Sequence, residues 1–334
     1  MPMPKHTRLR TFGAALLIVA STTLCAAAAA PQKPAARPGG YPTKPVRVLV
    51  GSPAGSGSDL MMRAVAQRLT ERWGQSVIVD NRPGAAGGIS LQVAVNGIPD
   101  GYTLATLSAQ NVTAMILGTV KTDIPRELTP VALMITQPYL MVATPSLPAG
   151  SVKELIALAK AKPLVYASSG TGSVVHLGME LFKAMAGVDM THIPYKGSGL
   201  SMIDVMGGRV QVAITNTLTA TPLVRSGKLK ALAITSPQRV QAMPDLPTVA
   251  ESGVAGYELR SWYGMLVPNG TPPATVQMLN RELVATVSAP EVTQKLAADG
   301  AEAAAPNRPD QFRKLIASEI VKWERVIQKL GLKK

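Results

Sequence analysis

The stretch Leu164-Val165-Tyr166-Ala167-Ser168-Ser169-Gly170-Thr171-Gly172-Ser173-Val174-Val175-His176 joins a short apolar, strand-like run to the start of a helical pattern. Its two glycines let the backbone take φ > 0 and approach a guest closely, and Ser173 is suited to cap a helix whose first N–H groups have no internal partner. A carboxylate or phosphate placed there would meet N–H donors, hydroxyls and the positive end of a helix dipole. An ordinary capped strand-to-helix turn is the competing reading. A second loop of the same kind, Gly51-Ser52-Pro53-Ala54-Gly55-Ser56-Gly57-Ser58-Asp59, follows the strand-like Val46-Arg47-Val48-Leu49-Val50. Two such loops predict an α/β protein in which they face each other.

Outward from these loops, short apolar runs alternate with helical patterns, which argues for α/β architecture with largely parallel sheets. A helix is expected from Asp59 to Trp73, a strand from Ser76 to Val79, a loop over 80–88, a helix ending near Val95 and a strand from Tyr102 to Leu107. Apolar residues at helical spacing mark 151–161, Val276 to Val287 and Phe312 to Ile327. Further strands are expected over 139–143, 189–193, 210–214, 229–235 and 262–267. The chain from Tyr41 to Lys334 is long for one core and suits two domains. Crossings at Tyr139–Thr144 and just before Ser236 predict a first lobe from 41–140 and 238–334 and a second from 141–237, with a hinge between them. Ligands of open α/β sheets collect outside the carboxyl ends of the strands, so the loops of the two lobes should border a cleft.

The N-terminus predicts the compartment. Lys5, Arg8 and Arg10 precede the apolar stretch Phe12 to Cys25, and small residues Ala26 to Ala30 follow, which is the pattern of a cleaved secretory signal over residues 1–30. Leu24 stands where a lipoprotein signal would carry a small residue before Cys25. Residues 31–40, rich in Pro, Ala and Gly, read as a flexible leader. Cys25 is the one cysteine of the chain, so the mature protein would have neither a disulfide nor a thiol nucleophile. The formal net charge of +14 permits anionic partners. Export, scarce aromatics and the lack of an arginine-rich tract exclude nucleic acid, which leaves anionic small ligands or a solvated basic surface.

Catalytic signatures are missing. His176 and His192 stand apart from any carboxylate at metal-ligand spacing, and neither His-Glu-x-x-His nor Cys-x-x-Cys occurs, so no metal is expected. The nucleophile elbow, the phosphate loop and a full dinucleotide fingerprint are absent as well, so no cofactor is expected. Ser173 with His176 is the remaining pair for a hydrolase, but a histidine in the first helical turn more commonly packs or caps a loop. Asp59 is placed to orient a ligand or to serve its own helix, and Arg82 to pair with an anion or to stitch its own loop. Tyr195 and Lys196 put a phenol and an ammonium at a loop mouth, to close on a ligand, to attract it, or simply to be solvated.

Several blocks carry a family resemblance: Val79-Asp80-Asn81-Arg82-Pro83-Gly84 with Gly87-Gly88, Pro99-Asp100-Gly101-Tyr102-Thr103-Leu104, Ser168 to His176, Pro194-Tyr195-Lys196-Gly197, Gly207-Gly208-Arg209-Val210, Leu246-Pro247-Thr248-Val249 and Gly256-Tyr257-Glu258 before Trp262. In this order they resemble the periplasmic substrate-binding component of tripartite tricarboxylate transporters, the Bug family. The resemblance implies an α/β type II periplasmic-binding-protein fold whose two lobes close on a small carboxylate. It also implies delivery to the integral-membrane components of a tripartite permease, by a monomer that performs no chemistry. A co-receptor handing its closed form to a sensor kinase is the alternative. Carried over, Ser168, Gly170, Thr171, Gly172 and Ser173, with His176, would hold a ligand carboxylate. Gly55, Ser56, Gly57, Ser58 and Asp59, with Asn81, Arg82 and Gly87, would approach from the other lobe, in part through ordered waters. Tyr195, Lys196 and Asn216 complete the expected set. Two departures stand out. Gly51-Ser52 replaces a bulky residue, and Asn216 supplies an amide without a charge, which disfavours amino acids and favours plain mono- or dicarboxylates.

Overall fold

A computed structural model describes residues 40–240, 243–298 and 300–332. The expected signal segment 1–30 and all of the leader but Gly40 lie outside the described residues. The first lobe begins with a βαβαβ run: β1 (Val46–Val50), α1 (Gly57–Trp73), β2 (Val77–Asn81), α2 (Gly88–Val95) and β3 (Thr103–Ser108). The apolar run of β1 is buried apart from Arg47, as a central parallel strand requires. In α1 the Ser56 hydroxyl caps the Asp59 N–H, and Gly74 closes the helix at φ 66°. Then follow α3 (Ala109–Ile116), α4 (Ile124–Glu127) and the sixteen-residue β4 (Leu128–Ala143). The middle of the chain supplies α5 (Val152–Ala161), β5 (Val165–Ser168), α6 (Val174–Ala186), β6 (Thr191–Pro194), α7 (Ser198–Met206), β7 (Val212–Asn216), α8 (Thr217–Arg225) and β8 (Lys230–Ile234). The chain ends with β9 (Arg260–Pro268), α9 (Pro273–Val287), α10 (Pro290–Ala298), β10 (Glu302–Ala303) and α11 (Pro309–Lys329).

The strand order is β2-β1-β3-β9-β4-β7-β5-β6, with β8 and β10 also pairing β4. The sheets are mixed, which corrects the expectation of largely parallel pairing. β1, β2 and β3 are parallel, as are β5, β6 and β7, but every pairing of β9 with β3 or β4, and of β4 with β7, β8 or β10, is antiparallel. The strand expected over 139–143 is the second half of β4. Its first half was hidden by Pro130 and Pro138, which interrupt the apolar pattern but are tolerated where the ladder with β9 is irregular or ends.

β4 belongs to both sheets. Residues 128–138 pair with β9, and residues 139–143 pair with β7 and β8. The return crossing is tied to it by the buried Thr235, whose N–H donates to Tyr139 O at 3.0 Å, whose hydroxyl donates to Leu259 O at 2.7 Å and accepts the Tyr139 N–H at 2.9 Å, and whose carbonyl accepts the Leu259 N–H.

The register places the cleft. Asn216 at the carboxyl end of β7 sits opposite Tyr139, and Ser108 at the carboxyl end of β3 sits opposite Tyr263, which in turn sits opposite Ile135. The carboxyl ends of both parallel strand sets therefore converge on the crossing point from opposite sides. Behind it, α11 lies on β9. Gly264 leaves room for the Phe312 ring, since a Cβ there would come within 2.5 Å of Phe312 Cε1, and Phe312 meets Trp262 edge to face at 5.7 Å.

Candidate functional site

On the β1–β3 side, a cavity of about 330 Å³ is bordered by Gly51, Ser52, Ser58, Gly84, Ala86, Gly87, Thr106, Ser108, Asn111 and Tyr263, and none of the residues lining it is charged. Its wall is an unusual backbone. Gly84, Ala85, Ala86 and Gly87 all have positive φ, at 119°, 48°, 52° and 86°. Two alanines in the left-handed region cost about 1–2 kcal/mol each, and such strain persists where the surroundings impose it. Asn111 imposes it here. Its Nδ2 donates to Ala86 O at 2.7 Å, while its Oδ1 accepts the N–H and hydroxyl of Ser108 at 2.7 and 2.8 Å. Gly87 is needed at that contact, since a Cβ there would lie 2.4 Å from Asn111 Nδ2.

The 51–59 loop is organised around Asp59, whose side chain is 1% exposed. Its carboxylate accepts from Gly55 N at 2.8 Å, Arg63 Nε at 2.9 Å and Asn81 Nδ2 at 2.9 Å. Burial pushes its pKa up, but these hydrogen bonds and the Arg63 charge outweigh it and hold the carboxyl below the usual range. Asn81 Nδ2 also donates to Ser52 O at 3.0 Å. Ser52, Ser56 and Ser58 share hydroxyl hydrogen bonds of 2.6–3.3 Å, and Gly57 opens α1. Arg82 pairs with Asp80 at 3.0 Å, and Arg47 holds the same carboxylate. The polar groups of Gly55, Ser56, Asp59, Asn81 and Arg82 are thus engaged within their own lobe. Of the residues expected to contribute from this side, Ser58 and Gly87 border the cavity.

On the opposite side, β5 runs directly into the 169–173 loop and α6. Ser173 caps α6 by accepting the His176 N–H at 3.3 Å, and Ser173 N donates to Gly170 O at 3.1 Å. Gly170 and Gly172 take φ of 135° and 78°. Among the described residues, the N–H groups of Ser169, Thr171, Val174 and Val175 find no acceptor. They cluster at the N-terminus of a thirteen-residue helix and leave the loop a set of donors with no charged side chain among them. The Thr171 side chain is exposed. The two sides of the cleft meet at Leu117, which follows α3, since a Cβ on Gly172 would lie 2.5 Å from Leu117 Cδ1.

Two expected grips make hydrogen bonds within the protein. Ser168 is 1% exposed, and its hydroxyl shares a 2.7 Å hydrogen bond with His192 Nε2 while accepting the Gly170 N–H at 3.1 Å. His176 Nδ1 accepts the Gly172 N–H at 3.1 Å. That lone pair is therefore not offered to Ser173 as a general base, and the Ser173–His176 hydrolase pair does not form. Tyr195 donates to Asp204 at 2.5 Å, and Asp204 is held in turn by Arg209. Lys196 is exposed beside it and makes no ion pair among the described residues. Asn216 caps α8 through Oδ1 on Thr219 N at 2.8 Å.

Sequence reasoning missed Thr106, Ser108, Asn111 and Tyr263, as well as the partnership of His192 with Ser168. The spacing Ser108-x-x-Asn111 is a capping-box pattern and was available as a signal. Tyr263 and His192 reach the site by strand pairing alone, so no local pattern marked them.

A two-lobed α/β fold with paired crossing strands, and an uncharged donor-rich cleft between the carboxyl ends of its strands, defines a type II solute-binding protein. The comparisons agree and name the group. Residues 61–332 match the family described as the tripartite tricarboxylate transporter family receptor, and the chain belongs to that family. It is 35% identical over 88% of its length to Protein BugT of Bordetella pertussis, covering 91% of that protein. Among solved structures it is similar to R. palustris Rpa4515 with adipate, at 37% identity and a TM-score of 0.78, covering 87% of this chain and 98% of that one. The periplasmic binding protein BugD matches at 31% identity and a TM-score of 0.76, with 88% and 100% covered. MatC from Rhodopseudomonas palustris with bound malate matches at 28% and 0.74, with 86% and 100% covered. No helix among the described residues is long and apolar enough to cross a membrane.

Proposed function

We propose that this protein binds a small mono- or dicarboxylate in the cleft and delivers it to the integral-membrane components of a tripartite permease. One observation carries the reading. The 168–175 loop sets four acceptorless N–H groups and a helix N-terminus at the cleft, with the unpaired Lys196 nearby and no carboxylate in the loop. One ligand carboxylate sits on this loop, gripped by the free N–H groups of Ser169, Thr171, Val174 and Val175. The far end of the ligand meets the neutral wall of Ser52, Ser58, Thr106 and Ser108, directly or through water. Hydrogen bonds to a charged group are worth about 1.5–3 kcal/mol each, so three or four suffice for micromolar binding after ordering costs. The bound adipate and malate of two structural neighbours support the ligand class.

In this reading the lobes are 41–140 with 238–334 and 141–237, hinged at the two crossings. The chain is exported with residues 1–30 removed, acts as a monomer and leaves its ligand chemically unchanged. The test is calorimetry and thermal melting against a panel of organic acids that includes adipate and malate. A ligand at a hundredfold excess over Kd stabilises by about 2.7 kcal/mol, so a binder raises the melting temperature visibly. A panel that leaves both the heat and the melting curve unmoved rejects the carboxylate reading.

A further inference from the structure

Behind the donor-rich loop lies a stack of three rings that ligand binding does not explain. His176 and His192 lie face to face with centroids 4.0 Å apart and planes 26° apart, and His192 stacks on Tyr166 at 4.9 Å. Each imidazole holds a different peptide of the loop. His176 Nδ1 takes the N–H of the 171–172 peptide at 3.1 Å. His192 Nε2 holds the Ser168 hydroxyl at 2.7 Å, and that hydroxyl takes the N–H of the 169–170 peptide at 3.1 Å. Both peptides precede a glycine in a positive-φ conformation, where a peptide plane turns over easily. A flip of either would carry its carbonyl to the other face and change which groups point at an anion.

We propose that His176 and His192 are positioning residues for the anion-binding loop: together they select one orientation of the 169–170 and 171–172 peptides, so that the N–H groups of Ser169, Thr171, Val174 and Val175 stay aimed at a carboxylate. The inference rests on the carboxylate reading only for its functional consequence. The tautomer of His176 follows from the geometry. His176 must be neutral with Nδ1 bare to accept from Gly172. The Ser168 hydroxyl and His192 Nε2 share their 2.7 Å hydrogen bond in either neutral tautomer of His192, and in both the Ser168 oxygen keeps a lone pair for the Gly170 N–H. Burial lowers the pKa of both rings, that of His192 to about 4 with a further push from His176, which keeps the pair neutral near pH 7. The charged groups acting on the pair are Glu180 and Lys183 of α6. Glu180 accepts the Tyr166 hydroxyl and pairs with Lys183 at 2.8 Å, and Lys183 also reaches Asp189. The local ion pairs thus leave the imidazoles no carboxylate of their own to hold a proton.

The test separates acceptor from packing in the full exported chain. His176→Asn keeps an acceptor in the Nδ1 position and loses the ring, whereas His176→Phe keeps a stacked ring and loses the acceptor. Two readouts are taken: amide hydrogen exchange of Gly172 in the ligand-free protein, and adipate affinity by calorimetry. His176→Phe is expected to raise the Gly172 exchange rate and weaken adipate about tenfold each, the loss of one ordinary hydrogen bond. His176→Asn should stay within about threefold of the unaltered protein in both. His192→Leu and His192→Gln repeat the contrast at the Gly170 amide and decide the matter if His176→Phe does not fold. Wild-type protection and affinity in the Phe variant, or equal losses in Asn and Phe, overturn the proposal. If the unaltered protein binds no acid of the panel, the carboxylate reading fails, and the exchange contrast still decides whether the histidines position the loop.

Discussion

In the loop 51–59 the hydrogen-bonding capacity is drawn inward onto a buried carboxylate, with Gly55 N–H, Arg63 and Asn81 all converging on Asp59. In the loop 168–176 the bracing comes from behind, through two neutral imidazoles, and the N–H groups at its front stay free. Both loops follow a parallel strand, both are capped by a serine, and Gly55 and Gly172 share a φ of 78°. What separates them is the charge of the group that satisfies the loop. A carboxylate consumes N–H donors and opposes a second anion, whereas a neutral ring nitrogen fixes the backbone and leaves the field of the helix N-terminus to the ligand.

The comparison breaks most directly if a carboxylate is moved from one loop to the other. Thr171→Asp puts a negative charge at an exposed position among the free N–H groups, where it competes with and repels the ligand. Like charges brought together at a binding surface cost several kcal/mol, so adipate affinity should fall by about a hundredfold or more. Calorimetry measures it, and the melting temperature without ligand should be nearly unchanged. A variant that binds as before would place the ligand elsewhere.

The reverse operation, Asp59→Asn, tests the inward-drawn loop. It removes the charge on which Arg63, Gly55 and Asn81 converge and sets an amide among donors, so the fold should lose about 2 kcal/mol in chemical denaturation. Adipate affinity should change less than about threefold, because the carboxylate is engaged by Gly55, Arg63 and Asn81 of its own lobe. A large loss of affinity with stability intact would return Asp59 to the ligand.

How far the sequence reveals this division depends on the range of the interactions. The strand-loop-helix units at 46–73 and 165–186 were legible because periodicity, Ser56 and Ser173 caps and left-handed glycines are local signals. The mixed sheet was not, because its antiparallel half is made by β4 and β9, which are far apart in sequence and carry no turn chemistry linking them. The same limit applies within the site. Ser168 and His176 were visible, but their meaning depends on His192, which arrives through the β5–β6 register that sets Tyr166 beside it. Arg82 reads equally well as a ligand contact or a stitch, and its 3.0 Å pair with Asp80 depends on a neighbour whose placement no local pattern marks.

Acid should take the two loops apart in order, the smallest effect and the one that compares them within a single molecule. His192 has an ordinary pKa of 6.5 and is lowered in the fold to about 4, and His176 is lowered in the same direction. Between 6.5 and 4 the unfolded chain binds more protons at His192, and His176 acts in the same sense, so the contribution of the pair is complete above pH 6.5 and is lost as pH falls below it. Asp59 has an ordinary value of 3.8 and lies lower in the fold, so its contribution is complete above 3.8 and is lost only below it. Protonated His176 cannot accept the Gly172 N–H, whereas ionised Asp59 still accepts the Gly55 N–H. Amide protection factors followed by NMR from pH 7 to pH 3 should therefore fall first at Gly172, below pH 6.5, and at Gly55 only under more acidic conditions, below 3.8. Loss at Gly55 before Gly172 would mean that the buried carboxylate, not the histidine pair, is the weaker brace.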